Sequence, residues 1–176
     1  MRSVLQLAAI ATLAALMLFT PRPQFDSVLA ASAPSVSLNV DDSAPRKVEE
    51  TTQMAVRRDY AAAWQAMAEA LDQNRTGLLD ANFVGTANEK LSATVQQQRK
   101  SGLHQRLRDE GHNVEAVFYS AEGSAMELHD TVHLEIQLLD GNRVVHSEHV
   151  TLHYLALLTA AENSWKVRVL EAVPSF

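Results

Sequence analysis

The chain has no cysteine. Disulfides, thiolate nucleophiles and cysteine-ligated zinc are therefore excluded, although this absence marks no compartment by itself. Nor is there a glycine-rich phosphate loop or a Gly-x-Ser-x-Gly elbow. Ser147 lies among histidines, but on an expected strand where no turn presents it as a nucleophile. Positive charge is also in short supply: 15 Lys and Arg stand against 21 Asp and Glu, a net charge of −6. A nucleic-acid binder needs a basic footprint to displace counterions, so no nucleic-acid partner is expected. The run Arg99, Lys100, Arg106 and Arg108 reads as a solvated helix face. Internal repeats and low-complexity tracts are absent. What remains is a chain of 176 residues, 47% apolar and 20% charged, enough for one folded domain with extensions.

The N-terminus addresses the chain. Arg2 precedes the apolar run Val4–Phe19, which only Gln6 and Thr12 interrupt, and Pro21-Arg22-Pro23 ends it. A positive start and an apolar run read as an export signal. The run falls short of the ~20 residues that span a bilayer. The small-residue cleavage pattern at Ala31-Ser32-Ala33 lies far beyond the apolar core, so an uncleaved signal-anchor is preferred over a cleaved peptide. Residues 24–46, rich in Ser, Ala, Pro and Asp, read as a flexible tether. The expected organisation is a signal-anchor or signal peptide over 1–23, a tether over 24–46 and a folded domain over 47–176. That domain faces the periplasm or the outside.

Within the domain the hydrophobic period is first helical. Val56, Tyr60, Trp64, Met67 and Leu71 form one stripe across Val48–Gln73. Leu78–Val84 is a short apolar stretch. Thr86-Ala87-Asn88-Glu89 reads as a capping box opening a second helix, with Leu91 and Val95 inside. Gly102 either breaks or bends it, and Leu103 and Leu107 continue its stripe to Gly111. The period then falls to two. Strands are expected over Val114–Tyr119, Ala125–Leu138, Arg143–Leu158 and Ser164–Val173, the last with Trp165, Val167 and Val169 on one face. The fold class is α+β: N-terminal helices packed on a curved four-stranded antiparallel sheet.

The long hairpin around Asp140-Gly141-Asn142 invites a register. Matching apolar with apolar positions selects a three-residue loop pairing Leu139 with Arg143. Val132 then faces Val150, and Thr131 faces Thr151. On the polar face His129 faces His153 and His133 faces His149.

Trp64 on the first helix, Phe83-Val84-Gly85-Thr86-Ala87 before the second, and Ser164-Trp165-Lys166-Val167 opening the last strand together resemble the nuclear transport factor 2-like superfamily. The resemblance covers roughly Glu50–Val173. It implies a cone of helices wrapped by a curved sheet. It leaves function open between small-molecule isomerases, lyases and hydrolases and non-catalytic, membrane-tethered domains. One element of the superfamily, a short strand pair between the helices, is visible only if Leu78–Val84 supplies it.

Two constellations are candidates. His129, His133, His149 and His153, with Glu127 and Glu135 beside them, would place two imidazoles and a carboxylate within reach of one metal ion. The competing reading is a solvated or subunit-covering sheet face. Asp130 stands alone on the apolar face between Leu128 and Val132. A buried carboxylate there, with Tyr154, Tyr60 and Trp64, would line a pocket for a small apolar ligand, and resembles the acid-plus-tyrosine arrangement of the superfamily's isomerases. The competing reading is a structural carboxylate. No cofactor is expected. The preferred function is an exported, membrane-tethered, non-catalytic domain for protein–protein interaction or self-association. The alternative is a small-ligand binder or isomerase- or hydrolase-like enzyme around Asp130.

Overall fold

The computed structural model describes residues 33–176. The expected signal-anchor lies outside them. Among the described residues no helix is long and apolar enough to cross a membrane.

Two helices pack on one face of a six-stranded sheet. Helix α1, Glu50–Gln73, buries Val56, Tyr60, Ala63, Trp64, Met67, Ala70 and Leu71, so the stripe predicted from the spacing is the packed face. Ala63 and Ala70 let its backbone approach the sheet. Asn74 ends it in the left-handed conformation at φ 52°, and its side-chain amide donates to Leu103 O at 2.9 Å. Helix α2, Gly85–Ser101, buries Ala87, Val95 and Gln98.

The expected capping box does not form. The N-cap is Val84, and the Thr86 hydroxyl, already inside the helix, donates to Arg168 O of the last strand. Gly102, at φ 72°, closes the helix, and the next residue opens a strand. Leu103 and Leu107 thus belong to β3, Leu103–Tyr119. A spacing of four satisfies a period of two as well as 3.6, so the hydrophobic pattern runs on past the helix end at Ser101 into β3.

The sheet order is β1-β3-β4-β5-β6, with β2 beside β1 on the outer edge of β3. Strand β4 is Ala125–Asp140, β5 is Arg143–Ala161 and β6 is Ser164–Val173. Strands β1 (Val36–Asn39) and β2 (Ala44–Pro45) come from the segment expected as tether, and both run parallel to β3. Val36, Leu38 and Val40 pack against the core. The alternation Val36-x-Leu38-x-Val40 is a half-buried strand pattern, masked by the surrounding Ser, Ala and Pro. The region between the helices does reach the sheet: Phe83 bridges Val167, and Val84 N–H donates to Val167 O.

The hairpin register differs from the expected one. Asp140 pairs with Arg143 across a two-residue turn, and a bulge at Val145 shifts the rest, so that Leu138 pairs with His146 and Val132 with Leu152. Turn and bulge together move the pairing by two residues. From His146 onward parity is kept, so each side chain lies on the face expected for it while its cross-strand partner changes; Arg143 and Val144, between turn and bulge, fall on the other face. A second bulge, at Arg168 of β6, has the opposite effect: Leu158 pairs with Val167 and Leu157 with Val169. The inner row therefore runs Trp165, Val167, Leu170, and Val169 leaves it.

Candidate functional site

Asp130 is fully buried in the inner row of β4, between Leu128 and Val132 and directly opposite Tyr154. Tyr60 of α1 donates its hydroxyl to Asp130 Oδ2 at 2.8 Å. Trp64, one helical turn on, meets Tyr154 edge-on with ring centroids 5.4 Å apart. Helix α1 and two strands thus bring the candidate residues Tyr60, Trp64, Asp130 and Tyr154 together. They do so as packed core. None of them lines the shallow groove of about 320 Å³ formed by Pro34, Val36, Met54, Arg57, Arg58 and Ala61 on the outer side of α1.

Two further members escaped the sequence reading. His112 Nδ1 lies 2.7 Å from Asp130 Oδ2, and His112 Nε2 lies 2.6 Å from Asp109 Oδ2. The His112 side chain is completely buried, and Asp109 keeps 15% of its side chain exposed. In a regular strand, residues three apart point to opposite faces. The register shift between Asp109 and Gly111 turns both inward. A signal for it exists in the sequence: apolar positions change from odd (Leu103, Leu107) to even (Val114, Ala116) across Gly111, as a bulge requires.

Burial works against a charge on His112. The hydrogen bonds and negative charges of Asp109 and Asp130 outweigh it and push the imidazole up to about 9. At neutral pH the ring is therefore an imidazolium donating from both nitrogens, Nδ1 to Asp130 and Nε2 to Asp109. Burial, then the charge of Asp130, raises the Tyr60 hydroxyl well above its ordinary value, and the same causes raise Tyr154. The Trp64 ring stands 4.6 Å from the His112 ring, within cation–π range. Asp130 Oδ1 and Trp64 Nε1 are buried without a hydrogen-bond partner.

This geometry limits the chemistry. A general base needs a free lone pair within reach of its substrate. Both nitrogens of His112 are bonded to carboxylates, and one oxygen of Asp130 already accepts from Tyr60 and His112. The cluster is suited to tie α1, β3 and β4 together.

The four candidate metal ligands lie on the outer face as expected, but not in pairs. His129 stands opposite Leu155, His133 opposite Thr151, His149 opposite Glu135 and His153 opposite Thr131, because of the two-residue shift. Each ring has its own partner. His133 is hydrogen-bonded to Thr151 at 3.0 Å and His153 to Thr131 at 3.0 Å. His149 lies 2.9 Å from Glu110. His129 stacks on Phe176 at 4.1 Å, and His153 meets the same ring edge-on. Among the described residues no three His, Asp or Glu converge as a metal site.

No family model matches the chain, and no curated protein matches it. Solved structures do. The intermembrane space region of the chloroplast protein ARC6 superposes with a TM-score of 0.61 at 15% identity, covering 74% of this chain and 100% of that one. A hexachlorocyclohexane dehydrochlorinase, LinA type 2, superposes at 0.50 with 12% identity, covering 71% and 88%. At such identities the likeness is one of fold. With two helices on one face of a long, bulged, mainly antiparallel sheet, the chain has the nuclear transport factor 2-like fold.

Proposed function

We propose that the chain is an exported, membrane-tethered, non-catalytic domain that acts by binding a protein partner or a second copy of itself. The N-terminal charge and apolar run support export, and the stretch before β1 is long enough to act as a short tether. One observation carries the non-catalytic part: His112 has both ring nitrogens bonded to carboxylates and no exposed atom. A core held this way stabilises the fold, and contact with other molecules falls to the surface. Crosslinking of the full chain in membranes, with its residues outside the cytoplasm probed by added protease, tests the reading. The expected result is a protease-accessible domain crosslinked to a protein. A chain shielded in the cytoplasm, or one recovered only as monomer under several crosslinking chemistries, would overturn it.

A second reading has its own observation. Asp130 Oδ1 and Trp64 Nε1 are an unpaired acceptor and donor inside the core, and unsatisfied buried groups often mark a ligand's place. A small apolar ligand with one polar group would fit this pattern if the core opened. Asp130→Asn decides: loss of binding of such a ligand supports this reading, and unchanged binding or none in either protein rejects it.

A further inference from the structure

Strand β6 covers only half of β5. Its pairing begins at His153↔Val173 and runs to Ala161↔Ser164. Between the hairpin turn and that point, the stretch Arg143–Leu152 has β4 on one side and no described strand on the other. Every residue from Arg143 to His149 is exposed, Val144 and Val145 at 45% each. An edge of this length is a template for another strand. Proteins guard such edges with Lys, Pro or a bulge that bends the strand away; Lys and Pro are absent between Arg143 and Leu152, and the bulge at Val145 leaves His146–Leu152 in regular pairing with β4. The other long edge, the start of β3, differs. It carries His104, Arg106 and Arg108, and Asp72 of α1 reaches over it to His104 and Arg106.

We propose that Arg143–Thr151 pairs antiparallel with the same segment of a second copy, about a two-fold axis at Ser147. This rests on the interaction reading above and names its partner. A two-fold axis perpendicular to an antiparallel pair must pass through a residue opposite itself, which leaves few registers. An axis at Glu148 sets two carboxylates face to face. An axis at His146 sets two imidazoles together and Arg143 against His149. An axis at Ser147 places His146 of each copy opposite Glu148 of the other. It alone sets base against acid across the axis. The two side chains already share a face, with His146 Nε2 3.8 Å from Glu148 Oε1 in the same chain. The length also fits: the free run from His146 to Leu152 ends where β6 begins to occupy the edge, at His153. The bulge at Val145 lies outside the central run His146–Glu148, so the ladder is regular at its centre and irregular at its ends.

The absence of native cysteine makes the test clean. Ser147→Cys in the full chain sets two thiols opposite each other at the axis, where paired strands hold Cα atoms ~4.5–5.5 Å apart, within disulfide range. Mild oxidation of the purified variant should give a disulfide dimer. His149→Cys, whose thiol has no thiol opposite it, should form no disulfide while still associating. His146→Glu should weaken dimerisation of the cysteine-free chain about fivefold to tenfold, and adding Glu148→His should restore it. Crosslinking through His149→Cys but not Ser147→Cys would overturn the register. A wild-type chain that sediments as monomer, with no crosslink at either position, would overturn self-pairing. In that last case, membrane crosslinking to a different protein would leave the broader interaction reading standing.

Discussion

Burial alone would strip the proton from His112, and two carboxylates keep it on. The sign follows. Its folded value, about 9, lies above the ordinary 6.5. The stability it contributes is fully present below pH 6.5 and is lost as pH rises through 9. His112→Gln breaks this buried pair and leaves Asp109 and Asp130 without their cation, which should cost about 3 kcal/mol at pH 6. Urea unfolding at several pH values should show a fall in wild-type stability between 6.5 and 9 that the variant lacks. Helix α1 carries a second buried carboxylate. Asp59 is 7% exposed and accepts the Trp165 N–H at 2.7 Å and the Arg58 Nε–H at 2.8 Å. Asp59→Ala should cost about 1–3 kcal/mol in the same assay, because it leaves a buried amide unpaired. Of the site, Asp130, Tyr60, Trp64 and Tyr154 were legible from periodicity, since each falls on an apolar face. His112 and Asp109 were not, because their shared face depends on a bulge that reads as a flaw in the alternation.

At the scale of elements, helix α1 and strand β4 were legible because each keeps one period over many residues, and β5 and β6 because each slips only once, at Val145 and Arg168. The errors fall where the period changes or slips. Leu103 and Leu107 suit either period. The Val145 bulge hides in the hairpin because a two-residue turn and one extra residue restore parity, so burial comes out right and partners wrong. Pairing depends on turn length, which a hydrophobic pattern constrains only modulo two. Strands β1 and β2 were missed because their composition is that of a linker. Their packing makes a prediction. His112 N–H donates to Ser35 O at 2.9 Å, and Val36, Leu38 and Val40 cover the core beside it. A chain beginning at residue 47 should be about 2–4 kcal/mol less stable than one beginning at residue 33. Equal unfolding midpoints for the two would show that the strands are dispensable.

The whole molecule has a closed interior and a surface open for pairing. Helix α1 and the sheet share a polar cluster with no exposed donor, while one half of β5 presents an unpaired backbone. The outer histidines, engaged with Thr151, Thr131, Glu110 and Phe176, belong to that surface. The closed interior is the central claim, because a cluster open to ligand would return the chain to the enzyme reading. An NMR titration of the His112 ring in the isolated domain tests it most directly. A closed core keeps the ring protonated through neutral pH, with a midpoint near 9 and slow N–H exchange. A midpoint near 6.5 with rapid N–H exchange would mean a solvent-open imidazole and would contradict it.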